Sequence, residues 1–278
     1  MHINIKGQLM DLSSPRVMGI LNITPDSFYS GSRAQTEAGI VERVYRIQEE
    51  GADMIDVGAY SSRPGAEFVS EEEEMKRLEY GLEILFRASP NAIVSVDTFR
   101  ADIARRCVEK YGVAIINDIA AGELDANMFS TIASLQVPYI MMHMRGTPQN
   151  MMQLTEYTNF KEEIFLYFAR KIETLTRLGV HDMILDPGFG FSKTTGQNYG
   201  LMSMLKEFHI FELPLLVGIS RKKMIRDVLD CATDESLNGT TVLNVYSLLN
   251  GANIIRVHDV KEAVQAVKII NTIKTSVC

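Results

Sequence analysis

A single-domain (β/α)8 TIM barrel, residues 1–278, is the fold the sequence predicts. Three observations predict it. Eight short apolar runs of β-forming residues recur along the chain, segments with helical spacing separate them, and polar residues close nearly every run. A length of 278 residues with 46% hydrophobic content suffices for one large core. In such a barrel all eight strand carboxyl ends surround one mouth, which is where a ligand site belongs.

The predicted strands are Val17 to Leu21, Met54 to Val57, Ala92 to Val96, Val113 to Ile116, Val137 to Met142, Met183 to Leu185, Leu215 to Ile219 and Asn253 to Val257. Their near-continuous apolar character is that of parallel strands buried on both faces. Among the helices, Ile40, Val44 and Ile47 share a face, as do Met75, Leu78, Leu82 and Leu85, and Ile164, Phe168, Ile172 and Leu175. Ser70 is placed to cap the second of these, with Glu73 completing a capping box and Glu71 to Glu74 forming a solvated acidic first turn. Gly51, Gly112, Gly179 and Gly251 each follow a helix and precede a strand by a few residues, the position of a left-handed C-cap. Connections so short leave chemistry to the opposite loops. Ser27 to Gln35 and Arg145 to Thr155 read as mobile loops.

Composition narrows the function. With 28 Lys and Arg against 35 Asp and Glu, the net charge of -7 argues against nucleic acid as a partner. Cys107, Cys231 and Cys278 are odd in number and widely spaced, as in reduced intracellular proteins. No membrane-length apolar run or signal peptide is legible, so a soluble cytoplasmic protein is expected.

The strand ends then supply the chemistry. Met183-Ile184-Leu185-Asp186-Pro187-Gly188 carries a carboxylate out of a buried strand directly into a turn; Asp186 is either a turn cap or a ligand-reading group. Asn22, Ser62 and Arg63, Asp97, Asn117, His143, the run Ser220-Arg221-Lys222, and Arg256 with His258 occupy matching positions. Asn22, Asp97 and Asn117 also suit turns, and His143 suits a hydrogen-bonded rim residue better than a metal ligand. Asp97, Asn117 and Asp186 suit a flat heterocycle with several N–H donors. Arg63, Arg256 and His258, with Asn22 as an oxygen ligand of Mg²⁺, form a half compatible with phosphate. The loop Ile23 to Ser32 is long enough to close over both, and neither HxH after strand one nor GxGxxG occurs.

These residues resemble the dihydropteroate synthase family, the folate-pathway enzymes that sulfonamides inhibit, over nearly the whole chain. The likeness rests on Gly19-Ile20-Leu21-Asn22-Ile23-Thr24-Pro25-Asp26-Ser27-Phe28, Ser62-Arg63-Pro64-Gly65, Val96-Asp97-Thr98, Ile116-Asn117-Asp118, Met142-His143-Met144, Leu185 to Phe191, Ser220-Arg221-Lys222 and Arg256-Val257-His258-Asp259. It implies condensation of 6-hydroxymethyl-7,8-dihydropterin diphosphate with 4-aminobenzoate, giving 7,8-dihydropteroate and pyrophosphate. It also implies a pterin held by Asp97, Asn117, Asp186 and Lys222 with Met142 on its ring. Asn22 would meet Mg²⁺, and Arg63, Arg256 and His258 the diphosphate. Ser62, Pro64, Phe191, Ser220 and Lys222 would meet aminobenzoate. Asp97, Lys222 and Arg63 are the expected catalytic residues, and a homodimer through the outer C-terminal helices is expected. Gly58-Ala59-Tyr60-Ser61-Ser62-Arg63-Pro64 departs from the family's Gly-Gly-Glu-Ser-Thr-Arg-Pro, Ser30 replaces an Asp, and Ser192 a Gly. A corrinoid-dependent pterin methyltransferase barrel and a non-catalytic pterin binder are the rival readings; the intact Ser-Arg-Lys and Thr-Pro-Asp-Ser-Phe runs favour the synthase.

Overall fold

The computed structural model describes residues 1–23, 36–61 and 68–276. Two strands come first, β1 (His2–Ile5) and β2 (Gln8–Asp11), paired as an antiparallel hairpin. Eight parallel strands follow: β3 (Arg16–Asn22), β4 (Met54–Gly58), β5 (Val94–Asp97), β6 (Ile115–Asp118), β7 (Tyr139–Met142), β8 (Met183–Asp186), β9 (Leu216–Val217) and β10 (Ile254–Val257). Each matches a predicted run. Their order is β8-β7-β6-β5-β4-β3-β10-β9, and the ring closes where Leu185 of β8 bridges Leu215 just before β9.

Between strands lie α1 (Glu37–Glu49), α2 (Glu71–Ala88), α3 (Ala101–Tyr111), α4 (Met128–Leu135), α5 (Phe160–Arg177) and α6 (Thr195–Ser203). Two helices, α7 (Lys223–Leu229) and α8 (Leu237–Leu249), separate β9 from β10, and α9 (Val260–Thr275) closes the chain. The predicted apolar faces turn inward: Ile40, Val44 and Ile47 in α1, Met75, Leu78, Leu82 and Leu85 in α2, and Ile164, Phe168 and Leu175 in α5 are buried, with Ile172 of α5 partly buried against them. Gly51, Gly112, Gly179 and Gly251 all take positive φ, as helix-to-strand turns require of them.

Three expectations need correction. Ser70 does cap α2 by accepting from the Glu73 N–H, but the Glu73 carboxylate pairs with Arg77 one turn on at 2.7 Å and does not complete a capping box. Glu74 is not solvated: it is fully buried, accepts from Thr98 Oγ1 at 2.7 Å and pairs with Arg100. Third, Arg145 to Thr155 is a fastened loop with a 3-10 turn at Met151–Gln153. Ser192 Oγ bonds both the N–H and the carbonyl of Arg145, and Gln197 Nε2 donates to Thr155 O at 2.7 Å. Ser27 to Gln35 lies outside the described residues.

The barrel interior is layered by the two-residue period of its strands. Met18, Met54, Ile115, Ile140, Ile184, Leu216 and Ile254 form an apolar plug, sealed from below by Ile3 and Ile5 of the hairpin and by Leu12. Two residues further along the same strands stand Ile20, Asp56, Asn117, Met142, Asp186, Gly218 and Arg256. One step of the pleat therefore turns hydrocarbon into a polar floor. The hairpin was not predicted, although Ile3 and Ile5 alternate with exposed His2 and Asn4. Ile3 is 1% exposed and packs into that plug. Ile3→Ala is expected to lower unfolding free energy by about 2–5 kcal/mol, read by urea denaturation; a loss under about 0.5 kcal/mol would show that the hairpin does not stabilise the barrel.

Candidate active site

The centre of the polar floor is Arg256. Its Nε donates to Asp56 Oδ2 at 2.6 Å and its Nη2 to Asp97 Oδ2 at 3.0 Å, while Asn117 Nδ2 donates to the same Asp56 oxygen at 3.1 Å. The two chemical halves inferred from sequence are thus one network, because a single guanidinium spans the supposed pterin and phosphate groups. Asp56 was missed. It lies inside the Met54–Gly58 run rather than after it, and a carboxylate in the middle of a buried strand was the available signal. Its Oδ1 is buried without a hydrogen-bond partner among the described residues.

Burial pushes the Asp97 carboxyl up to about 8; Arg256 opposes this, and Asp56 and Glu74 reinforce it. Asp186 moves up for the same first cause, against the pull of Lys222 and the Gly188 N–H. That N–H reaches Asp186 Oδ1 at 2.8 Å, so the carboxylate does cap its own turn, and no other side-chain hydrogen bond engages it among the described residues. Lys222 lies across from it, its amine on Phe189 O at 2.5 Å and 4.7 Å from the Phe191 ring centroid; burial brings it down to about 8. Met142, Met144, Ile119 and Phe191 form an apolar patch at this end of the strands. Tyr167 Oη fixes that patch from behind, donating within 3.1 Å of Met142 O and Ala120 O.

Ser220 and His258, assigned to different substrates from sequence, touch. Ser220 Oγ accepts the His258 N–H at 3.2 Å and lies 3.0 Å from its Nδ1. Burial and the nearby Arg256, Arg43 and Arg221 hold the imidazole down at about 3, so His258 offers a neutral ring rather than a cation. Arg43 of α1, also missed, donates to Ile20 O and His258 O and ties the ends of β3 and β10 together. Arg221 is structural: it forks onto Asp259 at 2.8 and 2.9 Å and caps Thr233 O and Asp234 O. His143 is the buried, hydrogen-bonded residue expected, 2.9 Å from Lys193 Nζ. Asn22 stands at the end of β3 beside Gly58 and Asp97. Ser62, Arg63 and Pro64 lie outside the described residues.

Two departures from the family pattern acquire reasons. Tyr60 accepts from Gln149 Nε2 at 2.8 Å, stacks edge-on to Phe99 at 5.1 Å and lies under the Arg100 guanidinium at 5.6 Å, an aromatic socket where the family has a carboxylate. Ser192 occupies left-handed space at φ +50, which explains glycine there; its two hydrogen bonds to Arg145 offset the strain.

A (β/α)8 barrel whose mouth joins convergent carboxylates, an amide and cations to an apolar face defines an enzyme that binds a flat, donor-rich heterocycle, and the profile of pterin binding enzymes matches residues 18–258. Dihydropteroate synthase of Escherichia coli strain K12 is 40% identical over 276 residues, covering 97% of this chain and 95% of that protein. The Yersinia pestis dihydropteroate synthase solved in a sulfonamide drug complex superposes with a TM-score of 0.94 at 38% identity, over 99% of this chain and 100% of that one. The Xanthomonas albilineans synthase with 4-aminobenzoic acid gives 0.88 at 32%, over 98% of each. The chain belongs to the dihydropteroate synthase family.

The raised Asp97 carboxyl sets a pH signature. A group whose folded pKa exceeds its unfolded value favours folding when protonated, fully below about 4 and progressively less as pH rises to about 8. Asn mimics the protonated form and still accepts from Arg256. The Tm advantage of Asp97→Asn over the wild type should therefore be smallest at pH 5 and largest at pH 8.5, by on the order of 2–4 °C for each kcal/mol released. An advantage that shrinks with pH would contradict the assignment.

Proposed function

We propose that this mouth condenses 6-hydroxymethyl-7,8-dihydropterin diphosphate with 4-aminobenzoate, giving 7,8-dihydropteroate and pyrophosphate in folate biosynthesis, with all groups supplied by one domain. The observation that carries the proposal is the Asp97–Arg256–Asp56–Asn117 network facing Asp186 and Lys222. Asp97, Asn117 and Asp186 read the pterin N–H groups, Lys222 its acceptors, and Met142 covers the ring. Arg256, Arg63 and the neutral donor of His258 take the diphosphate. Ser62, Pro64, Phe191, Ser220 and Lys222 take aminobenzoate, which agrees with Phe191 and Met142 sharing one apolar patch.

The residues fit Mg²⁺ at Asn22. Its side chain takes no hydrogen bond among the described residues, and a Cβ placed on Gly58 would lie 3.3 Å from Asn22 Oδ1 and 4.0 Å from Asp97 Oδ2. One or two protein oxygens are what Mg²⁺ uses when phosphates complete its shell. Bound there, it supplies charge neutralisation on the leaving diphosphate.

The reaction divides the charges. The C–O bond at the pterin methylene breaks with its electron pair leaving on pyrophosphate, which Arg256 and Arg63 stabilise; Asp97 and Asp186 stabilise the cationic pterin. The aminobenzoate nitrogen then closes a C–N bond and gives its proton to solvent, more readily once bonded. Because Asp97 is held near 8 when alone, a pterin that supplies N–H donors draws it into its ionised form.

The further expectation of a homodimer is supported by an apolar strip on neighbouring α8 and α9. Val242, Tyr246 and Leu249 recur on one face of α8, and Ile269 and Ile273 on α9, all exposed. Among the described residues no helix is long and apolar enough to cross a membrane. Sedimentation should show a dimer that Val242→Glu weakens at least tenfold; an unchanged mass in both proteins, or a monomeric wild type, removes this interface.

Pyrophosphate release from the two substrates, followed with and without a chelator, tests the reaction and the metal together. Release is expected only with Mg²⁺, whereas a pterin lacking the diphosphate should bind in either case. Release unaffected by chelation would remove the metal role. Where chemistry limits the rate, the secondary deuterium isotope effect on kcat/KM at the methylene should be clearly normal; a value near unity would show direct displacement instead.

A further inference from the structure

Lys193 is 1% exposed, yet it is neither in the expected site nor paired with a carboxylate. Its amine meets His143 Nδ1 at 2.9 Å, Gly188 O at 2.9 Å, Phe191 O at 3.0 Å and His143 O at 3.3 Å. Two of these acceptors belong to the turn after β8 and two to the residue after β7. We propose that Lys193 is a positioning residue for the reaction, bolting the turn that carries Asp186 and Phe191 onto the end of β7. The proposal rests on the site reading given above.

The bolt acts through short links. Gly188, whose carbonyl Lys193 holds, gives its own N–H to Asp186 Oδ1 at 2.8 Å, and His143 N–H donates to Asp186 O at 3.0 Å. The carbonyl and N–H of Gly188 lie in the peptide planes on either side of its Cα, so a displacement of Gly188 would move the Asp186 carboxylate. The two loops touch so closely that a Cβ on Gly188, at φ +74, would lie 2.1 Å from His143 O. Phe191, held through its carbonyl, carries the ring beneath Lys222. Burying an amine is costly, and a methionine of like length would fill the space without that cost, so the retained amine answers the polar turn rather than the volume.

Charge supports the same role. Burial, with Lys222 and Arg145, holds the Lys193 amine well below the ordinary lysine range against the pull of Asp186; three carbonyl oxygens converge on the nitrogen and take its N–H groups. Asp186 in turn faces Lys222, Arg256 and Lys193, each of which favours its ionised form. Where the Lys193 amine carries its proton, removing it makes the carboxylate easier to protonate.

The test uses the full chain with Lys193→Met and Lys193→Gln. Calorimetry with a pterin lacking the diphosphate, from pH 5.5 to 8.5, is combined with steady-state KM for 4-aminobenzoate and kcat. Lys193→Met should weaken pterin binding and raise KM tenfold or more each, and Lys193→Gln, which returns N–H donors, should recover part of both. In both variants the acid limb of pterin binding should move to higher pH, a shift that loss of packing alone would not give. A folded Lys193→Met with pterin Kd and KM within twofold of wild type overturns the proposal; if that variant does not fold, the same limits apply to Lys193→Gln. Should the wild type itself bind no pterin, the site reading falls, while faster hydrogen exchange at the Gly188 amide in the variants would still support the hold on the turn.

Discussion

A guanidinium inside a β-barrel is tolerable only if its donors are met, since desolvating an unpaired ion costs several kcal/mol. Arg256 is met by Asp56 below and Asp97 beside it, and Asp56 is met again by Asn117. Strands β4, β5, β6 and β10 are thereby tied by side chains as well as backbone. Replacing Asp56 by an apolar residue would leave Arg256 with one partner and Asn117 with none in this network. The apolar plug beneath matters for the same reason: it keeps water from the lower side of the network, so that charge is presented only upward.

The fold was legible because each strand is buried on both faces and each helix on one, which are the two patterns periodicity reports. The hairpin escaped because Gln8–Asp11 is largely exposed and its pairing is set by a turn at Lys6-Gly7, not by a repeating face. Site residues at strand ends, such as Asp186 and Lys222, announced themselves by interrupting apolar runs. Asp56 and Arg43 did not, one lying within a strand and the other on the inner face of a helix. Glu74 was misread because a first helical turn is usually solvated, and only tertiary packing brings Thr98 and Arg100 to it. Roles that depend on distance across the barrel, as with Ser220 against His258, are not recorded in spacing at all.

The chain's own substitutions share a destination. Tyr60 bonds Gln149 and Ser192 bonds Arg145, so both act on the loop between β7 and α5. Tyr157 adds a third tie, its hydroxyl on Ser192 O at 2.9 Å and its ring 3.8 Å from the Arg145 guanidinium. This part of the rim is held in this chain by the side chains of Tyr60, Ser192 and Tyr157.

The ring of strands has a seam. Between β8 and β9 the ladder shrinks to one bridge, Leu185 to Leu215, with Leu185 N–H reaching Pro214 O at 2.8 Å, whereas β3 and β4 align over five residue pairs. Asp186 ends one bank of that seam, and Ser220 and Lys222 follow the other. A molecule held by Asp186 and Lys222 together would span the gap where backbone hydrogen bonds are fewest. It would serve as a stitch, coupling occupancy of the mouth to closure of the cylinder, and the amides bordering the seam would register its presence.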